Sequence, residues 1–270
     1  MFDRSTDASN LDASTYTINE KGFIFGYGIP IASDSDIFSE LKTANISLTC
    51  GTDLLNIYEV TQCNSDDSLD SSFSLTYSQN SLNDAFFPTS GTNSRIESVI
   101  GVPFSDFKYY KAGLSYKKYG QIFNDKVLKF STRFNLASGY GGDDLPFFKR
   151  FYEGGSSSIR GFDFNSLGPK YANDKPKGGE VSIISSIGIA SKVDILGIDN
   201  ENMRLIGFVD AGTLSEKVSN FNFNDLRSSI GIQLSWLTPI GPIGINLAQP
   251  IIKKSEDKTE VFAFELGAKF

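Results

Sequence analysis

The chain has 270 residues, 40% of them hydrophobic, and a formal net charge of −7. That hydrophobic content is too high for a disordered chain and too low for a bundle of membrane-spanning helices, and no stretch approaches the ~18 consecutive apolar residues that one spanning helix needs. The negative charge argues against a nucleic-acid partner, and the absence of histidine excludes Ser-His and Cys-His catalysis together with the commonest metal ligand.

The N-terminal segment is polar. Residues 1–7 contain no apolar core of the kind that a signal peptide needs. They predict either a cytosolic protein or a reading frame that begins partway through a longer one. Residues 1–20 as a whole are rich in Asp, Ser, Thr and Asn, and this composition predicts a polar loop.

From residue 21 onward, apolar and polar residues alternate repeatedly, with a period of two that is typical of half-buried strands. No helical period competes with it. About eleven segments show the pattern, many of them ~10 residues long. They are 21–30, 41–51, 71–80, 94–102, 108–121, 126–138, 180–191, 202–213, 227–237, 243–250 and 260–270.

The two faces of the predicted strands differ in a way that bears on the fold. One face carries large apolar side chains, as at Ile230, Ile232 and Trp236, whereas the other is mostly Ser, Gly, Gln, Asn and Thr with few charges. A soluble β-sandwich would turn a heavily charged face to water, whereas a membrane barrel needs an apolar exterior and a small polar lumen. The pattern favours a transmembrane antiparallel β-barrel, with a soluble sandwich as the alternative.

The connectors alternate between short and long, as expected for the two sides of an outer-membrane barrel. Cys50 and Cys63 lie in one long connector, and their spacing fits neither a CxxC motif nor a zinc site. A disulfide and two free thiols are equal alternatives. Acidic runs without calcium-loop spacing are predicted to be solvated external loops. These runs are Asp66, Asp67 and Asp70, and Asp143 with Asp144.

A glycine- and serine-rich loop at residues 151–162 carries one cation, Arg160. No GxGxxG or P-loop motif is present, which makes a phosphate-binding role a weak alternative. Together with three other stretches, this loop resembles the BamA family, the barrel subunits of the machine that inserts barrel proteins into the bacterial outer membrane. The stretches are Leu145-Pro146-Phe147-Phe148 with Phe151-Tyr152-Glu153-Gly154-Gly155; Ser158-Ile159-Arg160-Gly161-Phe162 with Leu167-Gly168-Pro169-Lys170; Phe208-Val209-Asp210-Ala211-Gly212; and residues 231–250.

The resemblance is strong over 125–270 and weaker over 21–124. It implies a barrel of about sixteen strands preceded by periplasmic POTRA modules. This chain shows about eleven strands and no POTRA-like pattern. Residues 21–270 are therefore expected to form a partial C-terminal barrel with a lumen-directed loop at about 139–179, and residues 1–20 an extracellular loop. The gene upstream of Met1 is expected to encode POTRA modules and a signal peptide.

The resemblance also implies the site residues. In the family, the motif that matches Ile159, Arg160, Gly161 and Phe162 folds into the lumen, where its Arg pairs with acids on neighbouring strands. The expected partner here is Asp210. A second family acid falls at Gly188, which has no carboxylate.

Two other acids of the chain are candidates to replace it. Glu180 lies about 26 Å from Gly188 along the strand, too far for a simple replacement. Glu265 on the final strand is another candidate. The alternative is that Arg160 is a solvated loop residue.

The final strand has two readings. Phe264, Leu266 and Phe270 face lipid, and the resemblance implies that such an aromatic C-terminal strand also serves as a recognition signal for insertion. Strand edges with free backbone groups can template a partner strand, and an insertase can use this property by adding a client hairpin to its open edge.

The leading functional prediction is assembly and insertion of β-barrel proteins into the bacterial outer membrane, without enzymatic chemistry, metal or cofactor. The expected partners are client outer-membrane proteins, the lipid bilayer, and lipoprotein subunits that bind through the POTRA region. A two-partner secretion transporter or passive pore of the same superfamily is the alternative. A barrel-embedded hydrolase is disfavoured by the absence of histidine.

Overall fold

The computed structural model describes residues 1–7, 16–50, 67–123, 125–171, 174–195 and 198–267. Twelve strands form one antiparallel sheet in chain order, and two further two-residue strands, β8 and β13, pair with each other. The strands are β1 (Phe2–Asp7), β2 (Tyr16–Ala32), β3 (Ser35–Cys50), β4 (Ser68–Asn80), β5 (Gly91–Gly101), β6 (Tyr109–Phe123), β7 (Lys126–Gly139), β8 (Gly161–Phe162), β9 (Val181–Ile195), β10 (Ile198–Ser215), β11 (Arg227–Thr238), β12 (Gly241–Ile252), β13 (Thr259–Glu260) and β14 (Phe262–Leu266). Short 3₁₀ turns occur at Phe147–Lys149, Val218–Asn220 and Phe223–Asp225.

The predicted polar loop over residues 1–20 is wrong for residues 2–7 and 16–20, which form strands, and residues 8–15 lie outside the described residues. β1 pairs with β2 along its whole length, from Phe2 opposite Gly22 to Asp7 opposite Thr17, and β2 itself begins at Tyr16. Backbone hydrogen bonds hold β1, and these can form whatever the side chains are. Its polar composition therefore concealed a strand, and the described sheet has twelve strands where the alternation predicted about eleven.

Large apolar side chains cover the outside of the sheet, as the alternation predicted. On β2, Phe23 and Phe25 are 66% and 73% exposed, and on β11 the exposed side chains are Ile230, Ile232 and Trp236. An apolar band of this extent would promote aggregation in water, whereas the hydrocarbon of a bilayer covers it. The fold is a partial transmembrane antiparallel β-barrel, as predicted.

The inner face of the sheet is small and polar. Its fully buried members include Ser182, Ser229, Ser235 and Asn246. These side chains alternate along the strands with the outward apolar ones, which is the two-residue period of a barrel wall. The lumen is therefore a polar compartment in which a buried charge can find acceptors.

The two ends of the sheet differ. Short connectors join β2 to β3, β6 to β7, β9 to β10 and β11 to β12 at one end, which we call the short-turn end. The same end carries the longer connector at 81–90, between β4 and β5. The connectors at the opposite end are mostly longer, and we call it the long-loop end.

The largest connector, residues 140–180 between β7 and β9, turns inward, and we call it the lumen loop. Its Leu145 and Phe147 pack with buried residues of β2, β3 and β6, and its Ile159, Phe162 and Leu167 form a second cluster with a residue of β9. β8 of this loop pairs with β13, which follows β12. The loop thus contacts distant parts of the wall.

The final strand is shorter than predicted. β14 spans Phe262–Leu266 and pairs with β12, whereas Thr259 and Glu260 pair with the lumen loop. Phe270 lies outside the described residues. In the part of the chain that is described, β1 and β14 each pair with one neighbour of the large sheet.

Two smaller facts complete the description. Cys50, the last residue of β3, is disulfide-bonded, and Cys63, the only other cysteine of the sequence, lies outside the described residues. Among the described residues, no helix is long and apolar enough to cross a membrane.

The assignment of a lipid face and a lumen face to the sheet predicts that a charged substitution is more destabilising on the lipid face. Ile232→Lys places an ammonium group in the lipid-facing band near the middle of β11, and we expect it to lower the free energy of unfolding by about 2–4 kcal/mol. Asn135→Lys, on the lumen face of β7, is the control and should cost less than ~1 kcal/mol. Urea unfolding in lipid bilayers measures both variants. Equal costs would contradict the assignment of the faces.

Candidate functional site

The tip of the lumen loop, residues 155–162, is a tight turn with its own backbone hydrogen bonds. The Gly155 N–H donates to Phe162 O at 3.0 Å, and the Ser158 N–H donates to Gly155 O at 3.1 Å. Gly161 has a φ of +89°, and a Cβ there would lie 3.0 Å from the Ala248 carbonyl oxygen of β12. Only glycine meets both conditions without strain, so this position fixes how closely the tip approaches the wall.

Arg160 and Asp210 are joined by a buried bidentate ion pair. The Arg160 Nε donates to Asp210 Oδ2 and an Arg160 Nη to Asp210 Oδ1, both at 2.7 Å, and the Arg160 backbone N–H also donates to Asp210 Oδ2 at 3.1 Å. Asp210 is fully buried and Arg160 is 8% exposed. The structure therefore brings together the two residues that the sequence pairs, and Arg160 is not a solvated loop residue.

Neutral groups complete the shell around the guanidinium. One Nη donates to Gln233 Oε1 at 2.6 Å, and the other donates to Ser186 Oγ at 3.0 Å. Gln233 lies on β11 and Ser186 on β9, the two neighbours of the strand that carries Asp210. Arg160 thus joins three adjacent strands, because its planar fork presents donors in several directions.

An aromatic ring packs on the guanidinium of Arg160. The Arg160 Cζ lies 3.2 Å from the centroid of the Phe208 ring, within cation–π range. Phe208 stands opposite Gly188 on β9 and opposite Gly231 on β11. A Cβ on Gly231 would lie 2.6 Å from Phe208 Cζ, so this glycine makes room for the ring.

The other candidate acids contact different groups. Glu180 is buried and accepts a hydrogen bond from the Val218 N–H at 3.1 Å, which ties the base of the lumen loop to the β10–β11 connector. Glu265 accepts from Asn246 Nδ2 at 2.8 Å on the neighbouring strand. Among the described residues, Arg160 donates hydrogen bonds to Asp210, Gln233 and Ser186 and packs on Phe208.

A second ionic contact holds the loop just before its tip. Glu153 is buried, and its Oε2 accepts from Arg133 on β7 at 2.8 Å and from Ser158 Oγ at 2.5 Å. Its other oxygen accepts from Ser182 on β9. This carboxylate is therefore bound both to the wall and to the tip.

A third contact reaches the opposite wall. Lys149 donates to Asp70 Oδ2 at 2.7 Å, and Tyr109 donates to Asp70 Oδ1 at 3.4 Å. Asp70 is fully buried on β4 and lies 3.9 Å from the Lys42 ammonium. The prediction that Asp70 is a solvated loop acid is wrong, because the strand begins three residues earlier than the alternation indicated and turns this carboxylate inward.

Salt bridges also join the connectors at the long-loop end. Arg227 forms a bidentate pair with Asp257 at 2.9 and 3.0 Å. Partial burial of Asp257 opposes its ionisation, but the hydrogen bonds from Arg227 and from the Lys254 N–H outweigh that effect and lower the pKa of this carboxyl. The connector after β12 is thereby held against the start of β11.

The terminal strand presents its apolar side chains outward. Phe264 and Leu266 are largely exposed on the face that meets lipid. Glu265 lines the opposite, lumen side, in a polar cavity of about 540 Å³ that also contacts Lys117, Lys129 and Arg160. The remaining residue of the predicted C-terminal signal, Phe270, lies outside the described residues.

The hydrogen bonds and ion pairs of Arg160, Glu153 and Lys149 position the lumen loop. Within the described ranges no group of three or more Cys, Asp and Glu side chains could hold a metal ion. Sequence reasoning missed Gln233, Ser186, Glu153 and the Lys149–Asp70 pair. Of these, only Gln233 carried a signal, because it shares the inward face of its strand.

The whole chain matches the Omp85 superfamily domain, over residues 1–270. It is 28% identical over 224 residues to the outer membrane protein assembly factor BamA of Neisseria meningitidis, and this match covers 72% of the chain but only 28% of that relative. The chain therefore spans less than a third of the length of this relative.

Two solved structures are similar in fold. BamA from Haemophilus ducreyi lacking POTRA domains 1–3 aligns with a TM-score of 0.83 at 24% identity, covering 97% of this chain and 56% of that one. CdiB from Acinetobacter baumannii aligns with a TM-score of 0.60 at 15% identity, covering 92% of this chain and 42% of that one. At these identities the similarity shows the fold alone.

The buried pair predicts strong coupling between its members. In a double-mutant cycle, Arg160→Ala and Asp210→Ala should show a coupling energy above ~1 kcal/mol, because either single change leaves an uncompensated buried charge. The exposed pair Lys217–Asp144, at 3.0 Å, is the control and should couple by less than ~0.5 kcal/mol. Free energies of unfolding in bilayers give both values. Additive costs at Arg160 and Asp210 would show that the pair does not form.

The close packing of Phe208 against Gly231 predicts that alanine substitutions at two glycines differ in their effect on the free energy of unfolding. Gly231→Ala places a Cβ 2.3 Å from the Leu247 carbonyl oxygen and 2.6 Å from Phe208, so we expect a loss of about 1–3 kcal/mol in unfolding free energy. Gly207→Ala is the control, because its Cβ meets nothing within 4 Å, and should change stability by less than ~0.5 kcal/mol. Unchanged stability of the Gly231 variant would contradict the stacked geometry.

Proposed function

The chain belongs to the Omp85 superfamily, and from this premise we propose that it forms the C-terminal barrel part of a machine that assembles β-barrel proteins and inserts them into the bacterial outer membrane. The sequence and fold similarity to BamA supports this role. The chain covers only part of its relatives, so the activity of a whole assembly factor is ascribed to it as a proposal.

The barrel lies in the bacterial outer membrane. In outer-membrane barrels short turns face the periplasm and long loops face the exterior. The short-turn end is accordingly the periplasmic end, and the lumen loop enters from the exterior. Clients would arrive at the periplasmic end and leave sideways into the bilayer.

The fixed position of the lumen loop is the main observation in support of this role. Three ionic contacts, at Lys149, Glu153 and Arg160, each with a buried carboxylate, hold it to the wall from β4 to β11. Such a loop keeps this part of the wall in shape while the strands beyond it change partners. Because buried pairs are costly to break, the loop resists displacement during repeated cycles of insertion.

The terminal strand is the part of the wall that is suited to change partners. β14 and β12 pair over five positions, from Ile243–Leu266 to Leu247–Phe262, whereas β9 and β10 pair over most of their length. A short ladder separates at lower cost. A client strand would then add to the freed edge by β-augmentation, which needs backbone groups but no covalent chemistry, metal or cofactor.

The partners follow from this role. Client outer-membrane proteins would contact the edge and lipid would contact the apolar band, while accessory lipoproteins would bind POTRA modules of the family architecture, which are not among these 270 residues. We propose that no enzymatic step is involved, and the absence of histidine supports this.

A secretion transporter is the second candidate, supported by the weaker fold similarity to CdiB. Passage of a polypeptide through the lumen would require the lumen loop to leave it. The three buried contacts oppose that movement, which favours the assembly role. A transporter would release its substrate outside the cell, whereas an assembly factor would leave clients in the membrane.

The role of the loop can be tested in the full-length protein that carries this chain. Arg160→Ala should lower the rate of client insertion into proteoliposomes at least about fivefold, because the buried Asp210 loses its partner. Arg95→Ala, at an exposed pair with Glu97, is the control and should leave the rate unchanged. Heat-modifiable electrophoretic mobility verifies that each variant barrel is folded. Normal insertion by a folded Arg160 variant would refute a role for the loop.

A further inference from the structure

We propose that Glu265 is a positioning residue of the terminal strand, held toward the lumen by the charges of Lys117 and Lys129 on the facing wall. The three side chains line one polar cavity of about 540 Å³. Lys117 lies on β6 and Lys129 on β7, whereas Glu265 lies on β14 at the end of the large sheet. Charge therefore acts between two parts of the wall that are far apart in the sheet.

The other two cations of the cavity have carboxylate partners of their own. Arg133 pairs with buried Glu153 at 2.8 Å, and Arg160 pairs with buried Asp210 at 2.7 Å. Neither carboxylate is among the residues that line the cavity. The two lysines are then the remaining cations of the lining, and Glu265 is its one carboxylate.

The two lysines need a counter-charge because they stand close together. Lys129 is opposite Tyr119, and Lys117 precedes that tyrosine by two residues on the same face of β6. Such diagonal neighbours on adjacent strands lie about 7–8 Å apart, and like charges at this distance repel each other. Their neighbours on the outer sides, Gly188 on β9 and Asn93 on β5, carry no charge. A carboxylate in the cavity relieves this repulsion.

The local structure of β14 turns Glu265 toward the cavity. Its neighbours Phe264 and Leu266 are largely exposed on the lipid face, so the two-residue period of the strand directs Glu265 to the lumen. Asn246 Nδ2 on β12 donates to Glu265 Oε1 at 2.8 Å, which orients the carboxylate. Within the described residues β14 pairs with β12 over five positions, so the charges of the facing wall add to a short ladder.

The position of β14 is measured by double electron–electron resonance in nanodiscs, with nitroxide labels at Phe264→Cys on β14 and Phe130→Cys on β7. Both side chains are on the lipid face, 54% and 38% exposed, so the labels stay outside the cavity. The protein that carries the labels alone should give one narrow distance distribution. Glu265→Gln should broaden it at least about twofold, because glutamine keeps an oxygen for the Asn246 bond and removes only the charge.

Two further measurements separate the effect of charge from that of shape. Lys117→Gln combined with Lys129→Gln should broaden the distribution as Glu265→Gln does, whereas Glu97→Gln, at an exposed ion pair with Arg95, should leave it unchanged. Raising the salt from about 0.1 M to about 1 M shortens the Debye length from ~10 to ~3 Å, and should broaden the distribution of the labelled protein but not that of its Glu265→Gln variant. An unchanged distribution in Glu265→Gln, or equal salt dependence of both proteins, would overturn the proposal.

The consequence for client insertion rests on the proposed function and is measured separately, in the full-length protein that carries this chain. A terminal strand that is held less firmly exposes its edge more often, so Glu265→Gln should raise the insertion rate at least about twofold. A broadened distribution with an unchanged insertion rate would support the role of Glu265 and count against β14 as the strand that receives clients. An unchanged distribution would refute the role of Glu265 whatever the insertion rate.

Discussion

The arrangement of the lumen depends on the burial of one guanidinium group. Removing a charge from water costs several kcal/mol, and the cost is recovered only when fixed acceptors surround it. Asp210 supplies a bidentate carboxylate, Gln233 and Ser186 supply neutral oxygens, and the Phe208 ring covers one face of the group. Because these groups lie on β9, β10 and β11, Arg160 can be buried only when the three strands are in register.

Two further ionic contacts, at Glu153 and Lys149, connect the lumen loop to additional strands of the wall. Glu153 joins the lumen loop to β7 and β9, and Lys149 joins it to Asp70 on β4, across the lumen. The loop thereby acts as an internal brace for the wall from β4 to β11. β14 receives none of these three ionic contacts, and within the described residues it pairs with β12 over five positions. A rigid wall next to a weakly paired edge is the mechanical property that strand addition requires, which connects the buried Arg160 to the proposed function.

Much of the fold could be predicted from the sequence, because a membrane barrel imposes a strict two-residue period on its wall. The apolar face of β11 followed from the two-residue period, whereas Asp210 as the partner of Arg160 followed from the family resemblance. β1 could not be predicted, since it is held by backbone pairing and has polar side chains on both faces. The burial of Asp70 was missed because its partner, Lys149, lies 79 residues away, and no local pattern records such a contact. The position of Phe208 opposite Gly188 and Gly231 also could not be predicted, because it depends on the register between neighbouring strands.

In this structure the tip of the lumen loop is as firmly held as the barrel wall. Hydrogen–deuterium exchange of the protein in nanodiscs tests it directly, because the Arg160 N–H is bonded to buried Asp210 and the Gly155 N–H to Phe162. Amides of residues 155–162 should exchange on the same timescale as those of β10 at 207–213, over minutes to hours. Exchange within seconds, as fast as in the exposed connector at 217–225, would contradict the account.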